Sequence, residues 1–384
     1  LMPLSASTAA VPGSGWRAVH VTAKPGRFCD VTAAGRRQAW AFGVSIDRPS
    51  VFSPLIARWD GRSWTAVRLP AKVRSRLGPL PLLGSAVASG PRNLWAFSLT
   101  VGGWLHFDGS SWTAGLVPAG VLTTTASVIA GSKYVWMFGL RVTFHNPVPF
   151  SAYATDINGK VTWKRKAMPG DAVIYGASAV SGSDLWAVGT SGEVDPIAGC
   201  LAGSQPSNKS ALTSSVLHYY AGRWHKAPSL PAAMRENPAT SILANGDNDL
   251  WVGGAIKNAK GGTAAAIAHW NGQNWTLIKL PAPGSRGGYR TEAITADGPA
   301  GLWAVADCAG THCPLHGHES MLWHEHAGLW TGPIRPALTK HRTILVSLAA
   351  SGPTIWAAGT VTLGKNNVHG LIAARTATAT KTSG

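Results

Sequence analysis

The chain has 384 residues, with 45 Gly, 25 Pro and 18 Trp, and only 13% of its residues are charged. This turn-rich and aromatic composition is typical of short strands around a large aromatic core, and no apolar run is long enough to span a membrane. The formal net charge is +17, which bears on solubility and on anionic partners rather than on the fold.

The two ends of the chain differ from the rest in composition. Leu1 to Ala10 include Ser7-Thr8-Ala9, a small-x-small pattern that fits either the remnant of a secretory signal or a flexible leader. We assign residues 1–14 to this leader, 15–375 to one domain, and the Thr/Ala-rich residues 376–384 to a disordered tail. We expect a secreted protein that is a monomer.

One short phrase built around Trp organises the domain, and its clearest copy is Ser183-Asp184-Leu185-Trp186-Ala187-Val188-Gly189. Seven copies occur, at spacings of 55, 41, 50, 65, 52 and 53 residues: Trp40, Trp95, Trp136, Trp186, Trp251, Trp303 and Trp356. A period of this size indicates a repeat architecture. Because Trp occupies one fixed position in each repeat, we expect it to pack between neighbouring sheets.

A second phrase follows the first, as in Arg58-Trp59-Asp60-Gly61-Arg62-Ser63-Trp64. Asp-Gly and Asn-Gly favour tight hairpin turns, so each unit is predicted to contain four short antiparallel strands. The last unit lacks its final Trp strand, whereas an unassigned one precedes the first unit at Gly15-Trp16-Arg17. The sequence therefore predicts an all-β, seven-bladed β-propeller of four-stranded antiparallel blades, closed by the N-terminal strand.

The longest predicted loops lie on one face of this ring, and all four Cys residues fall there. Cys308 and Cys313 share one loop and are predicted to form a disulfide, which leaves Cys29 to pair with Cys200. The alternative for the loop from Cys308 to His318 is a zinc or copper site, because it also contains His312, His316 and His318. We expect no bound metal or other cofactor.

Four His residues instead occupy one repeated position, six residues before a Trp. They are His106, His218, His269 and His324, and Arg58 takes that place in the first unit. A residue type repeated at one position of the framework predicts a packing or hydrogen-bonding role on the third strand of each blade.

A basic ring is predicted at the mouth of the central channel, just before the innermost strands. Its members are Arg27, Arg235, Arg290, Lys340, His341 and Arg342. Glu236 and Glu292 lie beside Arg235 and Arg290, a position that fits structural ion pairs as well as catalytic groups. Arg can hold a carboxylate or a phosphate through two parallel hydrogen bonds. We therefore expect an anionic group to bind there, chiefly through Arg290 and Arg342.

Signatures of catalysis are absent from the sequence, including the Gly-x-Ser-x-Gly elbow, His-Glu-x-x-His and a phosphate loop. We expect a non-enzymatic protein that binds a carbohydrate, a cell-wall polymer or a protein through its loop face. Two alternatives stay open, namely a hydrolase or lyase acting on an anionic glycan, and a copper or zinc protein.

The run Val252-Gly253-Gly254, followed by His269-Trp270-Asn271-Gly272 and Trp275, resembles kelch-type and galactose-oxidase-like propellers. Asp184-Leu185-Trp186-Ala187-Val188-Gly189 also resembles uncharacterised propellers exported by high-GC Gram-positive bacteria. The resemblance covers the repeat skeleton and implies a propeller fold. It implies no function, since one fold serves many functions.

Overall fold

The computed structural model describes residues 15–48, 51–78, 81–117, 123–131, 133–142, 147–157, 160–191, 212–259, 262–281, 288–298, 301–308, 320–336, 338–364 and 367–376. These residues form an all-β structure of 27 strands with two four-residue helices, α1 (Ala71–Arg74) and α2 (Ala232–Arg235). Neither of these helices is long and apolar enough to cross a membrane. The predicted leader and tail, apart from Thr376 at the end of the last strand, lie outside the described residues.

Twenty strands form five four-stranded antiparallel sheets within the described part of the chain. From the innermost strand outward, they are β5 (Leu83–Gly90), β6 (Asn93–Ser98), β7 (Gly103–Phe107) and β8 (Trp112–Leu116); β9 (Thr123–Ala130), β10 (Tyr134–Val142), β11 (Pro147–Ile157) and β12 (Lys160–Lys166); β13 (Val173–Ser181), β14 (Asp184–Ser191), β15 (Thr213–Tyr220) and β16 (Arg223–Lys226); β17 (Ala239–Gly246), β18 (Asp249–Lys257), β19 (Thr263–Trp270) and β20 (Trp275–Lys279); β21 (Tyr289–Ala296), β22 (Gly301–Cys308), β23 (Ser320–His326) and β24 (Leu329–Ile334).

The remaining seven strands form one sheet that joins the two ends of the chain. Its strands, in spatial order, are β25 (Arg342–Ser351), β26 (Thr354–Thr362), β27 (Val368–Thr376), β1 (Trp16–Gly35), β2 (Gln38–Arg48), β3 (Val51–Trp59) and β4 (Trp64–Ala66).

Strand β1 changes its partner halfway along its length. Its first part, from Trp16 to Pro25, pairs with β27, whereas Gly26 to Gly35 pairs with β2. The sequence predicted two separate strands here, but the chain runs straight through from one role to the other. Trp16 is 2% exposed and meets the ring of Trp303 edge-on at 5.4 Å, so the N-terminal segment is anchored by burial as well as by its ladder.

The innermost strands contact one another in a complete cycle. β1 touches β5, β5 touches β9, and the contacts continue through β13, β17, β21 and β25 back to β1. The second strands carry the repeated Trp residues, and six of the seven are buried while Trp251 is partly buried. The prediction that these Trp side chains pack between sheets is therefore confirmed.

The repeated His residues form part of the same packing. Each stacks on the Trp opposite it on the second strand, with ring centroids 4.2 Å apart for His106 and Trp95, 3.7 Å for His218 and Trp186, 3.9 Å for His269 and Trp251, and 4.4 Å for His324 and Trp303. Arg58 lies over Trp40 in the same manner at 5.2 Å. The predicted framework role of these residues is confirmed, because each ring is held against a Trp and beside a carboxylate.

The segment between β4 and β5 contains a short helix. Ala71–Arg74 is helical, and Ser75–Leu77 continues it as a 3-10 turn. Pro70 precedes the first helical turn, and Leu77 is completely buried against the sheets. Burial of this one apolar side chain explains why the segment folds back onto the sheets.

Asp30 joins three innermost strands through one carboxylate. It accepts hydrogen bonds from the backbone N–H of Val31 on β1 at 2.9 Å, from the backbone N–H of Ala86 on β5 at 2.6 Å and from the hydroxyl of Ser347 on β25 at 2.5 Å. Burial nevertheless raises the pKa of Asp30 to about 6, although these hydrogen bonds oppose the shift.

The pairing of β1 with β27 makes truncation a direct test of the N-terminal segment. Removal of residues 1–22 deletes buried Trp16 and leaves most of the β27 ladder unpaired, so we expect aggregation or a loss of at least about 3–5 kcal/mol, the usual cost of truncating a buried Trp. Thermal unfolding and size-exclusion chromatography would measure it. Removal of residues 1–14 alone should change neither, and an unchanged melting temperature for the longer deletion would contradict the expectation.

The pH dependence of stability should reveal the buried carboxylate of Asp30. Because its pKa is higher in the folded protein than in the unfolded chain, its contribution is fully present below about pH 4 and is lost as pH rises through about 6. The unfolding free energy of the wild type relative to Asp30→Asn should therefore fall over this range, by at most about 3 kcal/mol. Denaturant titrations at pH 4, 5, 6 and 7 would measure it, and a difference that is flat or rises with pH would be the contrary result.

Candidate functional site

Every innermost strand contains a β-bulge at the same place in its ladder to the second strand. One residue in each strand is left without a cross-strand partner: Cys29, Gly84, Thr125, Tyr175, Thr240, Glu292 and Val346. All seven residues line a cavity of about 370 Å³ at the centre of the molecule. Bulges re-aim side chains and are frequent beside functional sites, so this ring is the candidate site.

The ring of bulge residues is polar on one side and apolar or small on the other. Thr125, Tyr175, Thr240 and Glu292 follow one another on β9, β13, β17 and β21, and we call these four the polar arc. Val346, Cys29 and Gly84 complete the ring. Among the seven bulge residues, the hydroxyl groups and the carboxylate therefore lie on one side of the cavity, whereas Asp30, Ser85 and Ser347 supply polar groups to its lining on the other side.

Two hydroxyl groups of the polar arc also hold neighbouring strands together. The hydroxyl of Thr125 donates to the backbone carbonyl of Ile174 on β13, and the hydroxyl of Thr240 donates to the carbonyl of Thr291 on β21. These bonds fix the orientation of both side chains, and the oxygen lone pairs remain able to accept a further hydrogen bond. The arc is thus rigid before any ligand arrives.

Arg290 and Glu292 form a buried ion pair at the cavity wall. The Nε and Nη2 atoms of Arg290 lie 3.0 Å and 2.8 Å from Oε1 of Glu292, and the two side chains are only 15% and 9% exposed. Burial raises the pKa of Glu292 against the opposing effect of Arg290, and Asp307 adds to the rise. Burial lowers the pKa of Arg290, but the charge and hydrogen bonds of Glu292 together with the charges of Asp307 and Tyr175 outweigh it, so the net shift of the Arg290 pKa is upward.

The local charge around this pair is acidic. Asp307 lies opposite Arg290 on β22 and is 6% exposed, so its charge adds to that of Glu292 near the guanidinium. Arg290 directs its Nε and Nη2 donors to Glu292, and this contact occupies one of the two edges through which a guanidinium can bind an external carboxylate. The hypothesis of an anion at the channel mouth therefore depends on the other basic residues.

Those other residues are spread around the cavity rather than gathered at it. Of the eight predicted mouth residues, only Arg290 and Glu292 line the cavity. Arg235 and Glu236 are exposed at the end of α2, and Lys340 is exposed before β25. His341, Arg342 and Arg27 are partly buried, and burial lowers the pKa of Arg27.

The two described Cys residues are not free thiols. Cys29 and Cys308 are each disulfide-bonded, while Cys200 and Cys313 lie outside the described residues, as do His312, His316 and His318. The pairing of the four cysteines and the alternative metal site in that loop stay predictions. Cys29 lies at the cavity wall, and Cys308 is buried opposite Tyr289.

Sequence reasoning missed Asp30 and Tyr175, which both line the cavity. Asp30 did carry a signal, since it is a charged residue inside the otherwise buried run from Phe28 to Val31. Tyr175 carried none, because the bulge that places it appears only when β13 is paired with β14.

Comparison with known proteins identifies the fold and no closer kinship. No protein-family model matches the chain, and no curated protein matches it. The WD40 repeats of RRP9 align with 96% of this chain and 100% of their own length, at 10% identity and a TM-score of 0.57. The structure of U3-55K aligns with 93% of this chain and 98% of its own, at 9% identity and a TM-score of 0.55.

A sialidase from Trypanosoma rangeli also matches, over 92% of this chain at 11% identity, with a TM-score of 0.43. The chain spans about half of that protein, 55% of its length. At such identities the similarity shows the fold alone. The chain has a propeller-type, WD40-like fold, and its kinship with kelch repeats or with exported bacterial propellers stays a prediction.

Proposed function

We propose that this protein is an exported, non-enzymatic β-propeller. It would bind a carbohydrate of glycan or cell-wall material in its central cavity. The polar arc carries the proposal. Hydroxyl groups that can both donate and accept, one carboxylate and one aromatic side chain lie on one side of a cavity of about 370 Å³. That volume lies within the range of small-molecule sites, and these groups complement a sugar's hydroxyls.

The proposal includes an architecture of seven four-stranded blades. In it, the first part of β1 is the outermost strand of the blade made by β25, β26 and β27, and the second part is the innermost strand of the next blade. The division is supported by the switch of β1 between partners at Pro25 and Gly26 and by the cycle of contacts among seven innermost strands. A closed ring gives the cavity a wall on every side.

A neutral ligand suits the cavity better than an anionic one. Asp30, Glu292 and Arg290 are the charged residues that line the cavity within the described part of the chain, and Asp307 adds a further negative charge close to Arg290, so the local charge opposes an added carboxylate or phosphate. An anionic ligand remains the alternative, and it would bind to Arg27 and Arg342 at the mouth of the channel. The net charge of +17 would act there as long-range steering.

Binding is favoured over hydrolysis because both cavity carboxylates already have fixed partners. Three donors hold Asp30, and Arg290 holds Glu292. One observation still favours a glycan hydrolase as the second candidate, since both carboxyl groups have raised pKa values, as a general acid requires.

The test is a glycan array of neutral and acidic saccharides, followed by calorimetry at low and moderate salt. We expect a neutral saccharide to bind with little salt dependence, and Glu292→Gln and Tyr175→Phe each to weaken it, by at least about tenfold for Glu292→Gln because a charged hydrogen bond is lost. Glu236→Gln is the matched control, because this exposed acid lies outside the cavity and should leave binding unchanged.

Three outcomes would contradict the proposal. Absence of binding across the array would remove a carbohydrate ligand. Binding that is salt-dependent and lost on Arg342→Ala, but not on Glu292→Gln, would move the site to the channel mouth. Release of a shortened glycan, abolished by Glu292→Gln, would make the protein a hydrolase.

A further inference from the structure

We propose that Asp184, His218 and Asp247 form a site for one divalent transition-metal ion, for which zinc is the natural probe. The three side chains meet at the opposite end of the innermost strands from Arg290 and Glu292. Asp184 begins β14, His218 lies opposite Trp186 on β15, and Asp247 lies in the turn between β17 and β18 of the neighbouring sheet. The site is independent of the proposed carbohydrate site.

The framework of the neighbouring sheets shows what is unusual here. In the β17–β20 sheet, the single carboxylate of Asp249 lies 2.7 Å from Nε1 of Trp251 and 2.8 Å from Nε2 of His269. In the β21–β24 sheet, the carboxylate of Asp297 likewise lies 2.8 Å from Nε1 of Trp303 and 3.0 Å from Nε2 of His324. One carboxylate is therefore enough to hold both the Trp and the His of a blade.

The β13–β16 sheet uses two carboxylates for the same task. Asp184 lies 2.8 Å from Nε2 of His218, while Nε1 of Trp186 donates to Asp247 at 3.3 Å. Asp247 also lies 3.7 Å from His218 Nε2. In the β5–β8 sheet two residues also share this task, since Asn93 accepts from Nε1 of Trp95 and Asp156 contacts His106. The β13–β16 sheet differs from these sheets because two carboxylates approach the same imidazole nitrogen, Nε2 of His218, at 2.8 and 3.7 Å.

The donor set and its spacing fit a transition metal. One imidazole nitrogen and two carboxylate oxygens lie within 4.8 Å of one another. Ligands bound tetrahedrally at roughly 2.0–2.2 Å would be about 3.2–3.6 Å apart, so the observed separations of 2.8 and 3.7 Å need only small side-chain movements. An imidazole nitrogen with carboxylate oxygens is a common zinc donor set.

Charge and exposure also favour a cation at this position. Among the described residues, neither Asp184 nor Asp247 forms an ion pair with Lys or Arg, although the chain carries a net charge of +17. The side chain of Asp247 is 55% exposed, which leaves room for water to complete the coordination. A neutral imidazole binds a metal through its unprotonated nitrogen, so on binding the ring proton of His218 would be on Nδ1, and the metal would take the place of the hydrogen bond between Nε2 and Asp184.

The experiment titrates zinc chloride into the full chain after removal of metals with a chelator. We expect one tight equivalent for the wild type, with at least tenfold weaker binding for Asp247→Asn and for Asp184→Asn. Asp249→Asn is the matched control, because it breaks the same kind of Trp and His contacts in the β17–β20 sheet but removes no proposed ligand. Circular dichroism and melting temperatures without metal would verify that each variant is folded.

Three results would overturn the proposal. The first is the absence of a zinc equivalent in the wild type at millimolar zinc. The second is zinc binding that is unchanged in Asp247→Asn but lost on His316→Ala with His318→Ala, which would assign the metal to the loop that begins after Cys308. The third is an equal loss of zinc binding in Asp247→Asn and Asp249→Asn, because the effect would then come from the shared framework.

Discussion

The joining of the two chain ends by β1 is the constraint on which the rest of this structure depends. A sheet that pairs Trp16 with Arg375 and Gly26 with Ser45 makes residues more than 300 positions apart neighbours. The carboxylate of Asp30 links strands from both ends of the chain, because its three donors come from β1, β5 and β25. Without the pairing made by β1, β25 would lose its contact with β1, and the central cavity would lose part of its wall.

Hydrogen bonds from side chains accompany the bulges that shape the cavity. A bulge removes one residue from the ladder and would weaken a lone sheet. Here hydroxyl groups bridge from one sheet to the next near these positions, as Thr125 does to Ile174, Ser85 to Ser127, and Ser320 to Leu345. Thr125, Ser85 and Ser127 therefore hold neighbouring sheets together and also line the cavity.

The sequence was sufficient to predict the structural roles of residues that recur in each repeat. It was insufficient to predict features that depend on how two strands are paired. Trp186 and its counterparts could be assigned to the core, and His218 and its counterparts to the framework, because a fixed spacing reveals a fixed role. Glu292 and Arg290 were found as neighbours in sequence, and their ion pair was one of the interpretations left open, although the basic ring favoured an anion site. Tyr175 could not be found, because a bulge arises from the register of two strands and leaves no mark on one of them.

The charges that line the cavity differ from the net charge of the chain. Basic residues outnumber acidic ones by 34 to 17 along the chain, yet the cavity contains Asp30 and Glu292 with Arg290 as its one guanidinium among the described lining residues. Screening by salt reduces the effect of the exposed basic residues at the distances involved, whereas charges in the buried wall are screened far less. At low ionic strength the exposed basic residues would attract polyanionic material, while a ligand of the proposed cavity site would be selected by hydrogen bonding. A neutral sugar carried on an acidic polymer would satisfy both properties at once.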